Sequence, residues 1–272
     1  MTMMMQRRPH NLVLFFALAS VLIVGVYIYF YQFSALPSEQ NDLILNLISL
    51  IAPLSSAIFA TLVFSTFEHG DKPREVWKFM TIFIWLWTIA EFIWAGYLLQ
   101  QADVPLPSWA DVFWLMGFVF LTIALRKQYQ IVALKTVKLW KILVIWLAVA
   151  LLTGLVTFVS NVEFSLGHYL EYFYAVADFA AGIAAIRIFL AFRGGLMSRP
   201  WIGLFVLGLA DALYAWLIAS NMYAMSIGQG DPISMIADTT YMAAYLVLAT
   251  GFYAAYLTIR HGPNTTIEPV QK

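Results

Sequence analysis

Residues 77–100 read WKFMTIFIWLWTIAEFIWAGYLLQ. Beyond Lys78 the stretch is apolar for long enough to cross a bilayer, which takes about 20 residues. It holds one acid, Glu91, inside the word Ala90-Glu91-Phe92-Ile93-Trp94. An acid in a spanning segment costs roughly 2.5–3.5 kcal/mol on insertion scales, so it calls for a partner or a water-filled cavity. The same word (alanine, acid, two residues, aromatic) returns three more times. The copies are Ala110-Asp111-Val112-Phe113-Trp114, Ala210-Asp211-Ala212-Leu213-Tyr214 and Ala237-Asp238-Thr239-Thr240-Tyr241. Each lies inside or at the edge of a long apolar run. Four such costs in one pattern suggest a site, built twice.

The rest of the chain agrees with that reading. Hydrophobic residues make up 62% of it and charged residues 11%. Soluble domains run at about 45–50% and about 25%, so a soluble globular protein is excluded. The absence of cysteine excludes disulfides and thiolate metal sites. Apolar runs near 11–32, 43–67, 77–100, 109–125, 140–162, 166–190, 200–223 and 233–259 predict an all-α polytopic bundle of eight transmembrane helices. The first run exceeds the ~7–15 residues of a signal-peptide core, and no small-x-small cleavage site follows it, so it is read as a span.

The charges are segregated. All 15 Lys and Arg residues fall on one side of this topology. Arg7 and Arg8 precede the first span, and Lys72, Arg74 and Lys78 lie between the second and third. Arg126, Lys127, Lys135, Lys138 and Lys141 lie between the fourth and fifth. Arg187, Arg193 and Arg199 fall at the end of the sixth span and beyond, and Arg260 and Lys272 follow the eighth. The opposite side carries Glu39, Asp42, Asp103, Glu163 and Asp231 and no base. The excess of bases on the cytoplasmic side of membrane proteins predicts a cell-membrane protein with both termini cytoplasmic.

The order of acids and aromatics suggests an internal duplication, with 1–137 and 138–272 as two four-helix repeats of a single membrane domain. An even number of spans per copy preserves orientation, so the repeat would be parallel, related by an axis along the membrane normal. The loops entering the third and seventh spans rhyme. One runs His69-Gly70-Asp71-Lys72-Pro73-Arg74 before Trp77; the other has Arg193-Gly194-Gly195 and then Arg199-Pro200-Trp201.

An acid and an aromatic at i and i+3 share a helix face, so each word presents a carboxyl beside a ring. At 1.5 Å per residue, Glu91 lies about 13 Å from the outer end of its span, and Asp211 lies at a similar depth. Asp111 and Asp238 lie near span ends. The sixth span adds Glu171 and Asp178 on one face, with Tyr174 between them. The candidate ligand-binding set is Glu91, Trp94, Asp111, Trp114, Glu171, Asp178, Asp211, Tyr214, Asp238 and Tyr241. No Lys or Arg is expected at that depth; Arg187 is further toward the basic side, and His168 is the one histidine at the acidic end. The acids would therefore hold protons or surround a cation, with ring faces adding cation–π attraction. Two bland readings compete. Near span ends an acid often caps a helix, and Ser108 before Asp111 fits an N-cap. At mid-depth, interhelical hydrogen bonds are the alternative. Ala180, Ala181, Gly182, Ala184, Ala185, Gly203 and Gly208 read as close-packing positions.

Several chemistries lack their signatures. There is no Gly-rich phosphate loop, Gly-x-Ser-x-Gly elbow or His-Glu-x-x-His. His10, His69, His168 and His261 do not cluster in sequence, and no lysine in the last span offers a retinal Schiff base. No catalytic residue, metal ligand or cofactor is assigned. No attached soluble catalytic or DNA-binding domain is expected, and no nucleic-acid partner.

The stretch Leu106-Pro107-Ser108-Trp109-Ala110-Asp111-Val112-Phe113-Trp114-Leu115-Met116-Gly117-Phe118, with Glu91-Phe92-Ile93-Trp94 before it, resembles the multi-pass sensory regions in front of some bacterial and archaeal diguanylate cyclases and histidine kinases. In those regions a Pro-Ser-x-Ala-Asp word opens a span. The resemblance covers spans three and four and, more loosely, seven and eight, where Pro232 and Ser234 keep the order but not the spacing. It implies a prokaryotic sensory input, here stand-alone. Eight spans with buried aspartates also describe lysoplasmalogenase-like hydrolases, but their Gly-Asp and Ser-Asp words do not match.

Three functions follow. The first is a ligand-binding or sensory module with an acidic, aromatic-lined pocket in the outer half of the bundle. It would take a cationic or amphipathic small molecule and act through a membrane or cytoplasmic signalling partner. The second is a cation- or proton-coupled small-molecule transporter, disfavoured by the apolar inner half, where Pro53 is the main sign of a broken helix. The third is an intramembrane hydrolase using two acids, for which no nucleophile is visible. Binding is preferred over catalysis.

Overall fold

The computed structural model describes residues 8–100, 105, 107–132, 138–159, 165–192, 196–219, 222–223 and 231–261. Arg7, Lys135, Arg193, Lys272, Asp103 and Glu163, used above for orientation, lie outside the described residues, as do the junction at residue 137 and the Gly194-Gly195 pair. The helices are α1 (Arg8–Phe33), α2 (Ser38–Ser65), α3 (Lys72–Leu99), α4 (Trp109–Ile131), α5 (Leu139–Val159), α6 (Leu166–Ala191), α7 (Arg199–Ala219) and α8 (Pro232–His261). A 3₁₀ turn, Leu196–Ser198, leads into α7. No strand occurs among the described residues.

Seven of these helices are long and apolar enough to cross a membrane; the described apolar stretch of α5, Trp140–Val156, is shorter. In lipid every backbone polar group must be satisfied within the segment, which selects helices. The chain is a multi-pass helical membrane protein. Its outer surface fits lipid: Phe15, Val21 and Leu22 of α1 and Leu143, Leu151 and Phe158 of α5 are exposed.

Local chemistry sets the helix starts. Ser108 and Asp111 form a capping box at the head of α4. The Ser165 hydroxyl accepts the His168 N–H at the head of α6. Pro73 occupies the first turn of α3, where its missing N–H is harmless. Pro53 does not break α2, which runs continuously through it. Neighbouring hydroxyls satisfy carbonyls along that helix: Thr88 donates to Pro53 O at 3.1 Å and Thr81 to Ala60 O at 3.0 Å. The expectation of a broken second span therefore gives way to a continuous helix.

Helix α8 is the centre, packed on α7, α2 and α1. Within the apolar window of each, 61% of α8 is buried against 11% of α1, which makes α1 peripheral. Helices α3 and α4 pair, α6 packs on α7, α2 fills between α3 and α8, and α5 rests on α6. Close approach depends on small residues. A Cβ at Gly203 would fall 2.7 Å from the Leu248 Cα, so only glycine lets α7 lie this close to α8.

The helix ends sort by charge. Lys127 of α4 pairs with Glu75 of α3 at 3.3 Å. Trp77 and Trp201 pack with ring centroids 6.1 Å apart, bringing the starts of α3 and α7 together. Arg74, Lys78, Lys127 and Arg199 thus share one end of the bundle. The acid-bearing words lie toward the other.

Candidate functional site

Helices α6 and α7 meet at Gly208. A Cβ there would come within 2.5 Å of the Asp178 carbonyl oxygen, so the missing side chain lets one backbone touch the other. Asp211 follows Gly208 by three residues and shares its face. The consequence is that the Asp178 and Asp211 carboxyls come within hydrogen-bonding reach of each other. Asp178 is buried at 3% exposure. Two bare carboxylates about 4 Å apart repel by about 4 kcal/mol at an effective dielectric of 20. Such a pair persists only with a proton or a cation between the oxygens. No base offers itself: among the described residues the one ion pair is Lys127–Glu75, at the far end.

Glu91 enters from α3. Tyr241 donates to its Oε1 at 2.8 Å and Tyr245 reaches the same oxygen at 3.4 Å. The Trp114 indole lies against it, and Asp211 is within electrostatic reach. Trp114 stands between Trp94 at 5.7 Å and Tyr174 at 5.8 Å, measured between ring centroids. Tyr174 connects this cluster to the head of α4, donating to Asp111 Oδ1 at 2.7 Å. The other Asp111 oxygen accepts from the backbone and the hydroxyl of Ser108. Asp111 therefore does both things considered for it: it caps α4 and joins the aromatic network.

The fourth word is turned differently. Asp238 accepts from Tyr223 at 2.9 Å and faces Tyr31 of α1. Tyr214 bridges the two clusters, with ring centroids 4.9 Å from Tyr223 and 6.0 Å from Tyr241. Glu171 is the outlier, within electrostatic reach of His168 and Asp111 and away from the Asp178–Asp211 pair. Nine of the ten predicted residues thus belong to one connected layer of carboxyls and rings drawn from α3, α4, α6, α7 and α8; Glu171 lies at its edge.

Sequence reasoning missed Tyr245, Tyr27, Tyr31 and Tyr223. Tyr241 and Tyr245, and likewise Tyr27 and Tyr31, are i,i+4 pairs on one helix face. That spacing was legible as a polar seam, but the words did not mark it. The cap of α8 was also missed. Asp231 accepts from the Ile233 and Ser234 N–H groups and from the Ser234 hydroxyl. These bonds, the Ser234 hydroxyl foremost, hold its carboxyl below the usual range. The box at α4 runs Ser-x-x-Asp and that at α8 runs Asp-x-x-Ser, with the roles exchanged.

The donors at the site are carboxyl oxygens, tyrosine hydroxyls and ring faces, which can hold a proton or a cation. No group of three or more His, Cys, Asp or Glu arranged for a metal ion occurs among the described residues. Compared with protein-family models, curated proteins and solved structures, the chain matches none of them.

Proposed function

We propose that the protein is a membrane-embedded binding or sensory module whose acid–tyrosine layer takes up a small cation, an amine or an alkali ion, from the acidic side of the bundle. One observation carries this: Asp178 and Asp211 lie within hydrogen-bonding reach of each other, and among the described residues no Lys or Arg pairs with them. The flanking Glu91, Tyr241, Tyr245 and Tyr174 supply further oxygens and ring faces for cation–π attraction. Binding would act on helix packing, since the pair straddles the α6–α7 contact. A membrane or cytoplasmic signalling partner would then receive the change. The likeness of residues 106–118 to prokaryotic sensory regions supports the same role.

The topology belongs to this reading. We take α5, 21 residues from Leu139 to Val159, as the eighth span and put both termini in the cytoplasm, on the side of the bases. We also read 1–137 and 138–272 as a duplicated pair. In support, α3 pairs with α4 as α7 pairs with α8, and α2 packs on α3 as α6 packs on α7.

The test is thermal unfolding of the purified protein in a panel of alkali cations, divalent cations and amines, for the wild type and Asp211→Asn. The expected result is a rise in melting temperature with one cation class, abolished by Asp211→Asn. No response to any cation in the wild type would overturn the binding role.

A further inference from the structure

A groove of about 590 Å³ opens on the flank of the bundle, away from the acid layer. Ala17, Val21 and Val24 of α1 form one wall, and Ala243, Val247 and Gly251 of α8 form the other. Two hydroxyls line it, but both donate to their own helices: Ser20 to Phe16 O at 2.9 Å and Thr250 to Leu246 O at 2.7 Å. What remains is an apolar trough, open to the side, with Val21 69% and Val247 43% exposed on its lips. Such a wall offers water few partners and suits an apolar occupant from the membrane.

A basic residue stands at one end of the trough. Arg199 lines it, and its backbone lies against Gly251, where a Cβ would fall 2.9 Å away. Among the described residues Arg199 makes no ion pair. It sits with the bases at the headgroup end of the bundle. From Gly251 to Ala243 the trough runs along α8 for about 12 Å at 1.5 Å per residue. One leaflet of hydrocarbon is about 15 Å deep, half of the ~30 Å core. The length of the trough thus matches an acyl chain of one leaflet.

We propose that the groove between α1 and α8 is a binding site for an anionic phospholipid, with one acyl chain in the trough and the phosphate on Arg199. Basic pockets between spans at the cytoplasmic face bind anionic headgroups in this manner. The occupant is a lipid of the surrounding bilayer. The site would fix peripheral α1 onto α8, a contact that otherwise leaves much of α1 exposed.

The experiment is native mass spectrometry of the full-length protein after detergent exchange with added phosphatidylglycerol or phosphatidylcholine. The wild type is expected to retain phosphatidylglycerol in preference. Arg199→Gln should reduce that preference about fivefold, the effect of one basic residue near the surface. Lys127→Gln, which removes a base at the same end, should leave it unchanged. Val21→Trp, filling the trough from its open lip, should lower retention of both lipids, and it carries the test alone if Arg199→Gln does not fold. Equal retention of both lipids by the wild type, a preference that survives Arg199→Gln, or an equal loss in Lys127→Gln would overturn the site. So would disulfide-linked dimers of Val21→Cys, which in this cysteine-free chain would reveal a partner helix as the occupant.

Discussion

The Glu91 carboxyl gathers its partners from distant parts of the chain, and its bonds are of the weak, numerous kind. Interhelical hydrogen bonds in membranes average about 0.6 kcal/mol and reach about 1.7, because the unfolded state in lipid also finds partners. Tyr241→Phe keeps the ring and removes the shorter of the two donors to Glu91. It should cost about 0.6 kcal/mol in a denaturation series, and about twice that when combined with Tyr245→Phe. A loss above about 3 kcal/mol for the single change would mean that the Glu91 cluster is a structural keystone. The words of the sequence named Glu91 and Tyr241 but could not pair them, since 150 positions separate the two. Nor could they give the Asp111 bond from Tyr174. What could be read was chemical type and depth.

Helices α6 and α7 are set by a glycine. The repeated words drew attention to Asp211, yet its partner is decided three positions earlier, where Gly208 admits the backbone of Asp178. Gly208→Val should destabilise the protein by about 1–3 kcal/mol through overpacking and should abolish any cation response of the Asp178–Asp211 pair. Gly25→Val, with open space around it, is the control and should be near neutral. Thermal melts of both variants, with and without the cation that stabilises the wild type, check this. An unchanged Gly208→Val would show that α6 and α7 do not need this contact. The capping of α4 was legible in advance from Ser108 and Asp111, because it depends on near neighbours. Its counterpart at α8 escaped notice because the serine and aspartate exchange places.

The molecule is held together across its midpoint. Ser56 of α2 donates to the Tyr245 carbonyl of α8 at 2.8 Å, and Tyr241 of α8 reaches Glu91 of α3. The buried faces of α2 and α8 therefore complete one another. Expressed separately, fragments 1–137 and 138–272 should be unstable; expressed together, they should assemble. Co-purification through a tag on one fragment tests this. A monodisperse 138–272 fragment that melts cooperatively alone would show that each half has its own core.

Apolar length, the charge asymmetry along the chain and the presence of costly acids in spanning segments were all decided by residue identity, because the bilayer acts on each span one residue at a time. A multi-pass helical bundle could be read for that reason; eight spans were expected, and seven of the helices are long and apolar enough to cross. Which acids meet, and that Asp238 turns to Tyr223 and Tyr31 while Asp211 turns to Asp178, came only with the tertiary structure. In lipid, helix faces are chosen by close contact between small residues rather than by a contrast with water. Apolar faces look alike in sequence, and the sites where backbones touch, Gly203 on Leu248 and Gly208 on Asp178, exist only once the helices are packed.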